Sequence, residues 1–220
     1  MHYFPSRQVA GSLLADELEA KGYRYEDCAI LALNDGAVIV GAQIAMRLHC
    51  VLTMLLTSSI KLQGEIDALA EIDHTGGITF NDIYSAGELE ELKSENFNYI
   101  EQQKLQKLFE MNKLLGQGGV IDRDLLRNRH IIIVSDGLLN GLSLHAVAQF
   151  LKPIRTKKII VATPFASVHA VDQMHILADE IFCLNVLEDV FSVNHYYDDN
   201  KMPDHERIIE ILEDIILHWK

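Results

Sequence analysis

The sequence predicts an α/β protein built on a parallel, twisted sheet with helices on both faces. Three observations carry this. Short runs of apolar residues alternate with longer stretches of helical periodicity, which is the pattern of βαβ units. The apolar runs are continuous rather than alternating, as expected for strands covered on both sides. One stretch, from about residue 57 to 119, interrupts the alternation between two such strands and reads as an insertion, a hood over the sheet edge. The 220 residues are expected to form one domain, 1–220, carrying that insertion.

The elements follow in chain order. Ser6 caps a helix running to about Lys21, with Val9, Leu13, Leu14 and Leu18 on its apolar side and Gly22 ending it. Cys28 to Leu33 is a short apolar strand, and Asn34-Asp35-Gly36 is turn chemistry. Ala37 to Leu48 reads as a helix whose small residues let it sit close to a sheet, and Cys50 to Leu56 as a second buried strand. Inside the insertion, residues 66–73 and 76–82 suit short irregular strands. Ser85 to Leu115, rich in Glu, Lys, Leu and Gln, is one long exposed helix or two, broken by the glycines of 116–119. A strand at 130–135, a helix at 142–152, a strand at 157–163, a helix near 167–177 and a strand at 180–184 complete the alternation. Pro203 opens a last helix with Ile208, Ile211, Leu212 and Ile215 on one face.

Composition bounds the function. The net charge is −13, from 19 basic and 32 acidic residues. Nucleic-acid binding without sequence preference needs a basic surface that displaces counterions, so neither it nor an anionic membrane is expected as a partner. No basic segment followed by an apolar run opens the chain, and the apolar runs are too short to span a bilayer, so a cytoplasmic protein is expected. The three cysteines, Cys28, Cys50 and Cys183, fall in or beside apolar runs without metal-ligand spacing and read as reduced core thiols. The ten histidines show no HExxH or HxxxH spacing, and Ser12, Ser135 and Ser143 lack a nucleophile elbow.

The chemistry gathers at two strand ends. One loop is Asn34-Asp35-Gly36-Ala37. The other is Ser135-Asp136-Gly137-Leu138-Leu139-Asn140-Gly141, leading into Leu142 and Ser143 at a helix start. A strand, a short glycine-containing loop and a helix N-terminus bring unpaired amides together, which suits an anion. Ser143 can add a hydroxyl. Asp136 can hold sugar hydroxyls directly or through magnesium, a hard cation that takes oxygen ligands.

The block Ile131 to Ser143 resembles the signature of type I phosphoribosyltransferases: four apolar residues, two acids, three variable residues, then Thr-Gly-x-Thr. Here it is Ile-Ile-Ile-Val, Ser135-Asp136, Gly137-Leu138-Leu139, then Asn140-Gly141-Leu142-Ser143. The resemblance covers nearly the whole chain and is strongest to the uncharacterised "predicted phosphoribosyltransferase" group. That group's F-x-x-R-x-x-A-G opening is seen as Phe4, Arg7, Ala10 and Gly11, and its ending as Leu187 to Tyr197. Val161 to Ser167 and Leu177 to Leu184 match its fourth and fifth strands.

The resemblance implies a fold with a hood, a phosphoribosyl pyrophosphate or nucleotide ligand, and magnesium where the protein is catalytic. It implies Asp136 on the ribose, the Gly137–Leu142 amides and Ser143 on the 5′-phosphate, and Asn34 to Ala37 at the pyrophosphate position. The departures fall on the pyrophosphate half. Pro-Arg-Gly-Gly of the group is Asn34-Asp35-Gly36-Ala37 here, and its Arg-Lys pair is replaced by Thr57-Ser58-Ser59. Cations stabilise the leaving pyrophosphate, so turnover requires Arg7, Arg47 or Lys61 to be brought in by the fold. Ser135 replaces the first acid, and Leu139 stands where the purine-using branch has an acid.

Two functional readings follow. One is a phosphoribosyltransferase with weakened or altered catalysis; the other is a silent binding or regulatory protein on the same fold. A hydrolase on this scaffold lacks a visible base. Phe191 or Tyr197 either stacks on a base or pins the C-terminal helix. The helical stretch Ser85 to Leu115 is either simply a solvated face or, through Phe97, Ile100, Leu108 and Phe109, the contact of a homodimer.

Overall fold

The computed structural model describes residues 4–65, 67–115, 123–188 and 192–219. A helix α1 (Arg7–Ala20) precedes β1 (Cys28–Ala32), α2 (Asp35–Leu48) and β2 (Val51–Met54). The hood follows as β3 (Thr57–Ile60), β4 (Ala70–Asp73), β5 (Ile78–Phe80), α3 (Ala86–Glu95) and α4 (Phe97–Leu115). The chain then returns through β6 (His130–Val134), α5 (Leu142–Leu151), β7 (Lys158–Ser167), α6 (Val168–Leu177), β8 (Glu180–Leu187) and α7 (His205–Trp219).

The central sheet has five strands in the order β2-β1-β6-β7-β8, all parallel. Side-chain alternation divides its core. Ile30, Ile132 and Val134 pack with residues of α1, α2 and α7, whereas Leu31, Ile131 and Ile133 pack with α5 and α6. This order reverses between β1 and β6: the chain leaves β1 toward β2 and later returns on the other side of β1. Such a switch point is where ligands bind in open parallel sheets, and the loops after β1 and β6 are the two picked out by sequence. The hood strands form a separate antiparallel sheet, β3-β4-β5.

Several expectations are corrected. Val9 and Leu13 are 40% and 45% exposed. Helix α1 buries Leu14 and Leu18 as expected, together with Ala10, Gly11 and Ala15, because it packs against α2 as well as the sheet. The residues read as a turn, Asn34 to Gly36, are the N-cap and first residues of α2, since the Asn34 side chain accepts from the Ala37 amide at 2.7 Å. Thr57 to Ile60 is a strand, which polar Thr-Ser-Ser did not announce. Strand β7 runs on to Ser167: pairing passes over Pro164, which has no N–H, and resumes at Phe165 with Asn185.

The hood helices α3 and α4 are two, as one of the alternatives had it, with Ser85 and Glu88 forming a capping box. On α4, Ile100 is buried and Leu108 packs against the core, while Phe97 and Phe109 are 63% and 72% exposed. The break read at 116–119 lies outside the described residues. Cys28, Cys50 and Cys183 are free thiols, and burial raises all three, Cys28 to about 12 and Cys183 to about 11. No helix among the described residues is long and apolar enough to cross a membrane.

Candidate functional site

The loops after β1 and β6 meet under the hood in a cleft of about 380 Å³. Asn34 enters it from the start of α2, Ser135, Gly137 to Asn140, Leu142 and Ser143 from the β6–α5 segment, and Thr57, Ser59, Lys61, Asp67 and Glu71 from the hood. Sequence periodicity therefore located the floor. The insertion read as a hood supplies the roof, including Thr57, Ser59 and Lys61 named from the sequence, whereas Asp67 and Glu71 were not singled out.

The β6–α5 loop is fastened to β7. The Leu138 amide donates to the Phe165 carbonyl at 3.0 Å, the Ser167 amide donates to the Leu138 carbonyl, and the Ser167 hydroxyl donates to the Leu139 carbonyl. Gly137 lies where a Cβ would come 2.5 Å from the Phe165 ring, so this glycine serves packing as well as the turn. Ser135, in the place of the first acid, is 2% exposed. Its hydroxyl donates to the Gly137 carbonyl at 3.0 Å and accepts from the Gly137 amide at 3.2 Å. The amides of Gly137 and Leu138 are thus taken, and that of Leu142 donates to Asn140 Oδ1 at 3.2 Å. This corrects the expectation that every amide from Gly137 to Leu142 serves a ligand. Those of Leu139, Asn140 and Gly141 have no such partner among the described residues, and the N-cap residue of α5, Gly141, has no side chain to offer.

Asp136 lies elsewhere than expected. It is 4% exposed and does not line the cleft, although Ser135 and Gly137 do. Its Oδ2 accepts from Arg7 Nε at 2.8 Å in a buried ion pair. Its Oδ1 is buried without a hydrogen-bond partner among the described residues. Arg7 also donates to Asn194 Oδ1 at 2.7 Å, and its guanidinium lies 4.5 Å from the centre of the Tyr197 ring. The Tyr197 hydroxyl donates to the Asp136 carbonyl at 2.6 Å. Burial and then the Asp136 charge raise the Tyr197 phenol, against the opposing pull of Arg7.

The opening and closing motifs therefore converge on one acid. Tyr197, 3% exposed within the Phe4–Phe165–Tyr196 cluster, is placed as a packing ring rather than one open to a base. Phe191, the other stacking candidate, lies outside the described residues. With Oδ2 held by Arg7, Asp136 does not fit as a direct magnesium ligand, and among the described residues no group of three or more His, Cys, Asp or Glu could hold a metal ion.

At the pyrophosphate position, Asn34 is occupied with capping, and the Asp35 carboxylate lies 3.1 Å from His205 Nδ1 at the start of α7. Gly36 lies against Asp136 and Arg7, so that any Cβ there would collide with the buried pair. Ala37 is fully buried. Of the cations named from sequence, Arg7 lies beside Gly36 but is paired, and Arg47 bonds Asp16 and Glu19 at 3.0 Å each, outside the cleft. Lys61 lines the cleft.

The residue that sequence reading missed is Glu71, 5% exposed on β4. It accepts from the Thr57 hydroxyl, and the Ser143 hydroxyl lies 3.3 Å from each of its carboxyl oxygens. Burial raises its carboxyl above the usual range, opposed by the hydrogen bonds from Thr57 and Ser143. A charged residue on a half-polar hood strand gave no signal of its own.

A family model described as the phosphoribosyl transferase domain matches residues 5–200. A Mycobacterium tuberculosis protein named "Putative phosphoribosyl transferase" is 25% identical over 215 residues, covering 97% of this chain and 47% of its own. The chain thus spans about half the length of the curated relatives it matches. The crystal structure of TT1426 from Thermus thermophilus superposes with a TM-score of 0.74 at 25% identity, covering 97% of this chain and 99% of that one.

Proposed function

The chain belongs to the phosphoribosyl transferase domain family, and from that premise we propose that it binds a ribose 5-phosphate-type ligand, phosphoribosyl pyrophosphate or a nucleotide, at residues 135–143. The observation that carries this reading is the start of α5 at the switch point of the sheet, where the amides of Leu139, Asn140 and Gly141 have no partner among the described residues. Leu139, Asn140, Leu142 and Ser143 line a cleft large enough for a sugar phosphate there. The phosphate lies against the loop amides left over and the Ser143 hydroxyl, with the helix dipole favouring its charge.

The transfer half is altered. A leaving pyrophosphate needs cations where charge grows, and the position after β1 offers a helix cap and an acid paired with histidine. Lys61 is the basic residue that lines the cleft. Magnesium would arrive with the pyrophosphate compound, held by the ligand's own oxygens, since Asp136 is engaged by Arg7.

A second reading, a silent binding or regulatory protein, is favoured by one observation: the single acid retained in the motif is buried in an ion pair rather than presented to the cleft. Calorimetric titration with phosphoribosyl pyrophosphate and with ribose 5-phosphate, each with and without magnesium, separates the two. Transfer chemistry predicts magnesium-dependent preference for the pyrophosphate compound. A silent binder takes both equally, and failure to bind either overturns the phosphate site itself.

A further inference from the structure

The start of α5 is met by an internal acid. Glu71 stands in the central hood strand, paired with Ser59 on β3 and Thr79 on β5, so its backbone is fixed from both sides. Its carboxyl holds the hydroxyl of Ser143, the second residue of α5, while Thr57 donates to it from β3. Its hydrogen-bond partners among the described residues are these two hydroxyls. A carboxylate and a phosphate want the same donors and the same positive helix end, and two anions sharing that space repel.

We propose that Glu71 gates the phosphate cradle: it holds Ser143 as an internal acid, and a sugar phosphate enters with Glu71 protonated, so that binding takes up a proton. This rests on the reading that residues 135–143 hold a phosphate. The hood thereby becomes part of the specificity of the site, admitting a phosphate at the cost of a proton and admitting an uncharged sugar without one. The raised carboxyl noted above supports the proton linkage, because a group already shifted upward by burial accepts a proton readily when a second anion arrives.

Other charged groups lie on the elements around Glu71. Lys61 and Asp67 line the same cleft from the loop between β3 and β4. Asp73, two residues on in β4, accepts from the Thr75 and Gly77 amides of its own turn. On α5, His145 Nε2 lies 2.7 Å from Gln173 Oε1. On α4, Lys107 donates to the Ser58 hydroxyl at 3.1 Å. Across the cleft floor, Asp35 lies against His205.

The test is titration of ribose 5-phosphate into wild type and Glu71→Gln between pH 5.5 and 8.5, in buffers of different ionisation enthalpy. The ligand's own phosphate titrates in both proteins, so the difference between them isolates Glu71. Glu71→Gln is expected to bind about tenfold more tightly at pH 8, the order of one like charge removed near a partly screened site. The wild type is expected to approach it as the pH falls and to take up a proton that the variant does not. Circular dichroism checks folding. Should Glu71→Gln not fold, Thr57→Val carries the test: losing a donor that favours the charged carboxylate raises the pH at which binding weakens. Equal affinity, pH profile and proton uptake in wild type and variant overturn the gate and leave the phosphate reading intact. Tighter binding of ribose than of ribose 5-phosphate by Glu71→Gln, or no binding by either protein, overturns both.

Discussion

Arg7 and Asp136 show how far a motif residue can stand from its apparent role. Desolvating both ends of a buried pair is costly, and the attraction offsets that cost only while both are present. Arg7→Ala therefore leaves an acid buried, and a loss of about 3–5 kcal/mol is expected in urea unfolding, with Arg7→Met/Asp136→Leu recovering most of it. Glu71 makes the opposite prediction. Its carboxyl is raised in the folded protein, so its contribution to stability is fully present below the unfolded value and is lost as pH rises through the folded one. Glu71→Gln should accordingly gain stability over wild type as pH rises from 5 to 8, read from urea midpoints; a constant difference across that range would contradict the burial of Glu71. Neither role was legible in the sequence. Asp136 stood out through its motif, but its partner lies 129 positions away, and nothing in Ala70-Glu71-Ile72 distinguishes a buried acid from a solvent-facing one.

Individual elements were more legible where local chemistry has a single meaning. The apolar runs of β1 and β6 became fully buried strands, and Ser6 caps its helix as read, while the capping box of Ser85 and Glu88 was not read. Asn34-Asp35-Gly36 was ambiguous because the same residues favour a turn and a helix cap, and only the Ala37 amide decides between them. Asn34→Ala is expected to cost about 1 kcal/mol of stability, measured by thermal unfolding. The loop after β6 has a packing constraint that periodicity cannot show: Gly137 backs onto Phe165, from a strand that continues past Pro164. Gly137→Ala should cost about 1–3 kcal/mol by overpacking, and Phe165→Leu in the same chain should recover part of it. A Gly137→Ala protein as stable as wild type would mean that the loop is free to move.

On the scale of the whole molecule, the sheet order puts two loops at a switch point, the hood closes over them, and both ends of the chain lock the floor. Phe4 pairs with the Tyr196–Tyr197 segment while Arg7 reaches Asn194, so the opening and closing motifs meet behind the cleft rather than inside it. The sequence resemblance reached the right family because these distant motifs are recognisable separately. Their contact, and the placing of Glu71 in the cleft, depend on long-range packing that no local pattern encodes. The proposed phosphate site at the start of α5 is open to direct measurement. Titrating isotope-labelled protein with ribose 5-phosphate and following its amide resonances tests it most directly. A ribose phosphate bound there is expected to give the largest shifts at Leu139 to Leu144, with smaller ones at Thr57 and Glu71. Largest shifts away from that segment, or none at saturating ligand, would contradict it.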